Sequence, residues 1–265
     1  MLAVALRADA TPHSADTPCV MTVRAGGPND QRLVDRNPLL GEPPNWNDAP
    51  GPGSLRALVR SDSLHHPHIF VVDVVRATSR LLCAGSAPRW SPDGKWIAYT
   101  AWFSQRRWHV LRLIDPTSGK ASTVEIDQIA DYAWSPDGSK LAFTVMQQSP
   151  FEWQVGWVDI RRGAQHVIAT DNSVYTEYGG LAWAPDSRRF IANASAENEH
   201  DDSVRSSDLW LYDVTGRRCR LTNTPREEEM EAGWIDNQSI RFSLINEHSA
   251  ADTLATIQRV IGLRQ

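Results

Sequence analysis

The 265-residue chain is predicted to be all-β: a six-bladed β-propeller of four-stranded antiparallel blades, with the first and last blades incomplete. Three observations carry this. Tryptophans recur at nearly even spacing, and a Ser-Pro-Asp-Gly turn or a variant of it follows them. Within each unit, four short runs of strand-forming residues are bounded by Gly, Pro, Asp and Asn.

The anchors are Trp46, Trp90, Trp134, Trp183 and Trp234, at intervals of 44, 44, 49 and 51 residues. A four-stranded propeller blade has a repeat of about 40–45 residues. In the clearest unit, Tyr132-Ala133-Trp134 is a first strand and 140–145 a second. A third covers 153–160 and a fourth 165–169. Second strands such as "KLAFTV" are apolar on consecutive positions, which fits sheets buried on both faces. Ala133, Ala182 and Gly233, each just before a repeat Trp, are small, as a strand crowded near an axis requires. The repeat tryptophans themselves are expected in the core between blades.

The turn follows from its residues. Pro92 presets φ at the first central position, Asp93 suits the second, and Gly94 supplies the positive φ needed to re-enter a strand. Ser187 replaces that glycine and should be strained there, whereas Asn237 is the next best residue for a left-handed position. The first copy, 47–53, is longer and rich in Pro and Gly.

One domain is expected over 1–265: a partial blade over 1–38, then repeats beginning near 43, 87, 131, 180 and 231. In the partial blade, "LAVALRA", "CVMTVRA" and "QRLVD" are assigned as second, third and fourth strands. After Trp234 come "SIRFSLI" and "LATIQRVIGL", so the last blade lacks an outer strand.

A net charge of −5 argues against a nucleic-acid binder. No apolar stretch approaches the roughly 18 residues of a membrane helix, so no membrane insertion is expected. "MLAVALRADA" has no basic segment before its apolar run. The chain as written is therefore expected to be soluble and cytoplasmic, or periplasmic or secreted if its natural N-terminus is missing. Cys19, Cys83 and Cys219 form neither a disulfide framework nor a zinc spacing, and the latter two are expected as packing or surface thiols. No cofactor is expected, since phosphate-binding glycine loops and dinucleotide fingerprints are missing from the sequence.

The "WSPDG" repeats closely resemble the TolB-type propeller repeat over about residues 40–250. That resemblance implies a six-bladed propeller binding protein or peptide partners at its channel mouth. "PRWSPDGKWIAYT" and "SDLWLYDVTGRRCRLT" are also similar to the N-terminal propellers of prolyl-oligopeptidase-like serine peptidases. Those enzymes add an α/β-hydrolase domain, for which this chain has neither a Gly-x-Ser-x-Gly elbow nor the length. Similar repeats occur in some oligosaccharide lyases.

The Ser-Pro-Asp-Gly turns mark one propeller face. The opposite face, made by the connections between second and third strands and between blades, holds His13, His65, His66, His200 and His248. Two connections share a tripeptide: "AENEHDDS" contains Glu199 and His200, and "INEHSAAD" contains Glu247 and His248. Beside them lies the acidic "REEEME", with Glu228. Blades five and six are thus expected to present a carboxylate-rich, histidine-bearing rim. Three readings are open for it: a solvated surface, a docking surface for a basic or amphipathic peptide, or a divalent-cation or catalytic site. "HHPH" (65–68) is a weaker metal candidate, and His109 and His166 are expected as ordinary strand residues. Trp102 and Trp153 flank loops on the same side and are expected to be partly exposed contacts. The preferred expectation is a non-enzymatic scaffold with a protein or peptide partner. Its alternatives are the substrate-gating portion or relic of a serine peptidase, and a metal-dependent sugar lyase or hydrolase.

Overall fold

A computed structural model describes residues 21–25, 48–104, 108–148, 150–171, 176–198, 201–223, 228–245 and 256–263. In chain order the first strand is β1 (Met21–Ala25). Sheet I holds β2 (Asp48–Pro50), β3 (Leu55–Ser61), β4 (Pro67–Asp73) and β5 (Thr78–Ala84). Sheet II holds β6 (Ser86–Trp90), β7 (Ile97–Phe103), β8 (Trp108–Ile114) and β9 (Ala121–Asp127). Sheet III holds β10 (Ile129–Trp134), β11 (Lys140–Gln148), β12 (Phe151–Asp159) and β13 (Gln165–Asp171). Sheet IV holds β14 (Thr176–Trp183), β15 (Arg189–Asn198), β16 (Asp201–Asp213) and β17 (Arg218–Arg220). Sheet V holds β18 (Glu228–Trp234), β19 (Ser239–Ile245) and β20 (Thr256–Leu263). Strands within a sheet pair antiparallel in sequence order, as the four-run pattern predicts. Among the described residues there is no helix, and the fold is a β-propeller of four-stranded blades.

Sheet V corrects one expectation. The sequence places "MTVRA" in the third strand of a separate N-terminal blade; in the structure β1 pairs antiparallel with β20, from Met21↔Leu263 to Ala25↔Arg259. An outermost strand leaves a row of unpaired backbone groups, and β1 satisfies them on β20. The outer strand missing from the last repeat therefore comes from the other end of the chain. The remaining strands expected before Trp46 lie outside the described residues. Sheets IV and V also meet at one parallel pair, Ser207↔Glu228.

The tight turns form as predicted, with polar side chains wired into them. In β6–β7 the Ser91 hydroxyl donates to Asp93 Oδ1 at 2.7 Å and accepts the Trp96 N–H at 3.0 Å, while the Gly94 N–H reaches the Ser91 carbonyl at 2.9 Å. Ser135, Asp137 and Gly138 repeat this in β10–β11. Gly94 and Gly138 have φ of 70° and 68°, and Ser187 is forced to 55°. The serine strain is offset: its hydroxyl accepts the Asp137 N–H of the neighbouring turn at 3.1 Å. Asn237 departs from expectation and does not take a positive φ. Its turn is one residue shorter, closed by the Ile235 N–H on the Ser239 carbonyl at 2.8 Å, so no left-handed residue is needed.

The indoles of Trp134, Trp183 and Trp234 pack between sheets and also bond across them. Trp134 Nε1–H donates to the Arg89 carbonyl at 3.0 Å, Trp183 to Ala133 at 2.9 Å, and Trp234 to Ala182 at 3.1 Å. Each acceptor is the residue just before the preceding repeat Trp. Around these bonds lie continuous apolar clusters, such as Leu141, Phe143 and Val145 against Leu111, Leu113 and Ile126. The consecutive apolar run of β11 is buried throughout Leu141–Val145, as a sheet covered on both faces demands. Cys83 is a free thiol, whereas Cys219 is disulfide-bonded, against the expectation of a thiol there.

Trp183→Phe keeps most of the ring volume but leaves the Ala133 carbonyl without its donor; urea unfolding is expected to show a loss of about 1–2 kcal/mol. A second prediction concerns acid. The Arg76 N–H, and then the Ser54 hydroxyl, hold Asp73 down to about 2, and the Ser118 hydroxyl and Thr117 N–H likewise depress Asp115. Because these carboxyls are lower in the folded state, their stabilisation is complete above the ordinary carboxylate range. It is lost as pH falls toward about 2. Melting temperature followed from pH 6 downward should stay flat and then drop below about pH 4.

Candidate partner-binding face

The strand order puts two sets of connections at opposite ends of the blades. At one end the Ser-Pro-Asp-Gly turns join first to second strands, and a second series of turns joins third to fourth. In sheets I to IV the second series is organised by an aspartate at or just after the third-strand end. Asp73 Oδ1 accepts the N–H groups of Val75 and Arg76, and Asp115 those of Thr117 and Ser118. Asp159 accepts those of Arg161 and Arg162, and Asp213 those of Thr215 and Arg217. Neighbouring turns also touch. Arg189 pairs with Asp186 at 2.7 Å and donates to the Asn237 carbonyl at 2.6 Å, tying sheet IV to sheet V. The carboxylates of this face are therefore occupied by their own turns.

Near the axis the innermost strands β6, β10, β14 and β18 are each bulged. Arg89 interrupts the small residues that precede the repeat tryptophans, and its guanidinium donates to Asp131 Oδ1 at 3.0 Å while lying 4.6 Å from the Tyr132 ring centre. Asp131 Oδ2 accepts the Leu181 N–H at 3.2 Å, and the Tyr132 hydroxyl donates to the Ala87 carbonyl. Burial raises the Tyr132 hydroxyl pKa, so it stays a neutral donor. Three sheets are thus linked through one carboxylate, and the inner edges of β6 and β14 are capped by side chains of β10. Glu231 Oε2 accepts the Ser243 hydroxyl at 3.1 Å.

The opposite end holds the predicted rim. Glu199, His200, Glu247 and His248 lie outside the described residues. The strands flanking them, β15 and β16 on one side and β19 and β20 on the other, end on this face in adjacent sheets. Glu228 opens β18, its backbone aligned with Ser207 and Ile245. Trp102, near the end of β7, is 56% exposed, with its ring edge-on to His109 at 5.0 Å. Trp153 is not a surface contact as expected: it is 6% exposed, covered by Tyr178 of sheet IV at 6.0 Å between ring centres. Trp102 belongs to sheet II and Glu228 to sheet V. In the His-His-Pro-His stretch, His66 turns toward Asp62 at 3.5 Å, and no cluster of three or more metal-ligating side chains occurs among the described residues. His109 and His166 are strand residues as expected, the latter stacked on Trp157 at 4.1 Å.

Sequence reasoning missed a lateral cleft of about 310 Å3 between sheets II and III, with Glu125, Asp127, Gln147 and Gln154 around Phe143 and Val145. It also missed the third-strand aspartates, whose signal was present in the equal spacing of Asp115 to Gly119 and Asp159 to Gly163.

No protein-family profile and no curated protein matches the chain. Solved structures do. The tricorn protease aligns over 79% of this chain and 24% of its own, with a TM-score of 0.59 and 12% identity. A putative TolB from Agrobacterium tumefaciens aligns over 81% and 76%, at 0.53 and 14%, and a prolyl endopeptidase over 80% and 34%, at 0.58 and 13%. The fold is the one shared by TolB-type and peptidase propellers. The chain spans about a quarter of the tricorn protease and a third of the prolyl endopeptidase.

Asp131→Ala is expected to remove the carboxylate that pairs with Arg89 and the acceptor of the Leu181 N–H together, lowering unfolding free energy by about 1–3 kcal/mol in urea titrations. Asp131→Asn, which keeps an acceptor, should lose clearly less.

Proposed function

We propose that the chain is a non-enzymatic propeller that binds a protein or peptide partner on the face opposite the Ser-Pro-Asp-Gly turns. The observation that carries this is Trp102: an indole left 56% exposed at that end, while the repeat indoles Trp90, Trp134, Trp183 and Trp234 are packed between sheets. Exposed tryptophan offers large contact area at low ordering cost and dominates many interfaces. The turn-bearing face favours the same choice, because its carboxylates are engaged and its turns are packed together. The acidic residues Glu199, Glu228 and Glu247 in the sequence of the far rim suit a partner segment of basic or amphipathic character.

A second reading has one observation in its favour: two of the matched structures are peptidases of which this chain corresponds to about a quarter and a third. Here the propeller would gate or dock peptides for a separate hydrolase.

A photo-crosslinking residue at position 102 should capture a protein partner, and Trp102→Ala should weaken that partner's Kd by about tenfold or more, roughly 1.4 kcal/mol, without moving Tm. Unchanged affinity places the contact elsewhere. Labelling of a co-purifying chain by a serine-reactive fluorophosphonate favours the peptidase reading.

A further inference from the structure

The lateral cleft of about 310 Å3 between sheets II and III belongs neither to the turn network nor to the indole ladder. Its size is that of a small-ligand site. Sheet III builds one wall. Phe143, Val145 and Gln147 alternate along β11 on the face toward sheet II, and Gln154 of β12 stands opposite Val145 in the ladder. Phe143 and Val145 are buried, so the wall presents carboxamides above an apolar floor. Gln154 donates to Glu152 Oε1 at 2.6 Å, which leaves its own carbonyl oxygen as an acceptor.

Sheet II supplies the other wall with the outer edge of β9, where Glu125, Ile126 and Asp127 line the cleft. In an antiparallel ladder the N–H and C=O of one residue point to the same side, and that side alternates along the strand. The Glu125 carbonyl accepts the Gln165 carboxamide of β13 at 3.0 Å, so it points away from β8 and toward sheet III. The Glu125 N–H points the same way. The Glu125 side chain stays with its own sheet, held by Arg112 at 3.0 Å.

We propose that this cleft binds an extended peptide segment of another protein, neutral or basic in sequence, which pairs with the β9 edge at Glu125 and displaces Gln165. A carboxamide is a peptide group in miniature, and Gln165 already makes one of the two bonds that an added strand would make there. An open outer edge is a template for unwanted pairing, and a side chain laid across it is a removable cover. The walls select the ligand. Glu125 offers a main-chain donor and acceptor together, and Gln147 and Gln154 add amides of both kinds, which matches a peptide backbone. Carboxylates of Glu125 and Asp127 beside the opening, with Arg112 as counter-charge to Glu125, disfavour phosphate and acidic peptides. Affinity comes from main-chain bonds, and the floor takes one small apolar side chain. The site shares no residue with the Trp102 contact and stands independently of it.

The test titrates the isotope-labelled full chain with the blocked peptide acetyl-Lys-Thr-Val-Thr-Lys-amide and follows backbone amide shifts. Saturable shifts centred on Glu125 are expected, with β2–β5 unmoved. Methylating every backbone nitrogen of the peptide should weaken binding by about tenfold or more. Gln147→Ala and Gln154→Ala should each weaken it by about threefold or more, whereas Gln165→Ala, at an exposed position, should tighten it by about threefold because the competing amide is gone. Equal binding of the methylated peptide, weaker binding by Gln165→Ala, or no saturable shift in either the native chain or that variant would overturn the proposal. Shifts confined to the Trp102 end would overturn the cleft and leave the rim contact standing.

Discussion

The hydrogen bond from three of the repeat indoles to a main-chain carbonyl one unit earlier is the interaction on which the rest of the structure depends. It runs from Trp134, Trp183 and Trp234 to Arg89, Ala133 and Ala182. Apolar burial alone would press the sheets together without fixing their offset, because hydrophobic contact is non-directional. The indole N–H is directional. It sets each sheet's height and angle against its neighbour and satisfies a carbonyl on an inner strand edge that pairs with no further strand. The Tyr132 hydroxyl and the Asp131 carboxylate serve the same purpose on the edges of β6 and β14.

Polar groups are distributed unequally between the two ends of the blades. At the turn end, serine and aspartate side chains are consumed in closing hairpins, and the Ser187 hydroxyl and Arg189 guanidinium carry that network from sheet to sheet. The hydrogen-bonding groups of those side chains are satisfied by the turns themselves. At the other end the connections vary in length and composition, and an indole stands in solvent. Recognition chemistry concentrates on variable connections held by a rigid scaffold. The contrast between ends is the physical basis for placing a partner on one of them.

What could be foreseen follows the range of the interactions. The period, the four strands per unit and the left-handed turn glycines are local chemistry, visible within ten residues of each tryptophan. The strain at Ser187 was visible too, but its compensation was not, because the Asp137 N–H lies 50 residues away in another turn. "MTVRA" was legible as a strand; its partner was not, since a two-residue alternation does not say which sheet edge receives it. The burial of Trp153 is not legible for the same reason: nearness to a loop says little when Tyr178 of the next sheet supplies the cover. Arg89 was the readable exception. A large charged residue in a row of Ala and Gly asks for a buried counter-charge, and Asp131 supplies it. The glutamate–histidine rim was named from sequence, and its key residues lie outside the described part of the chain.

The acceptor in the indole ladder has a consequence for how such a chain can change over time. A backbone carbonyl is the same group whichever residue carries it: arginine in one rung, alanine in the next two. A duplicated unit spliced into the array therefore finds its docking point ready-made, with no compensating substitution in the neighbour that receives it. Units can be gained, lost or shuffled while the joints stay intact, and natural variation is left to accumulate in the connections between them.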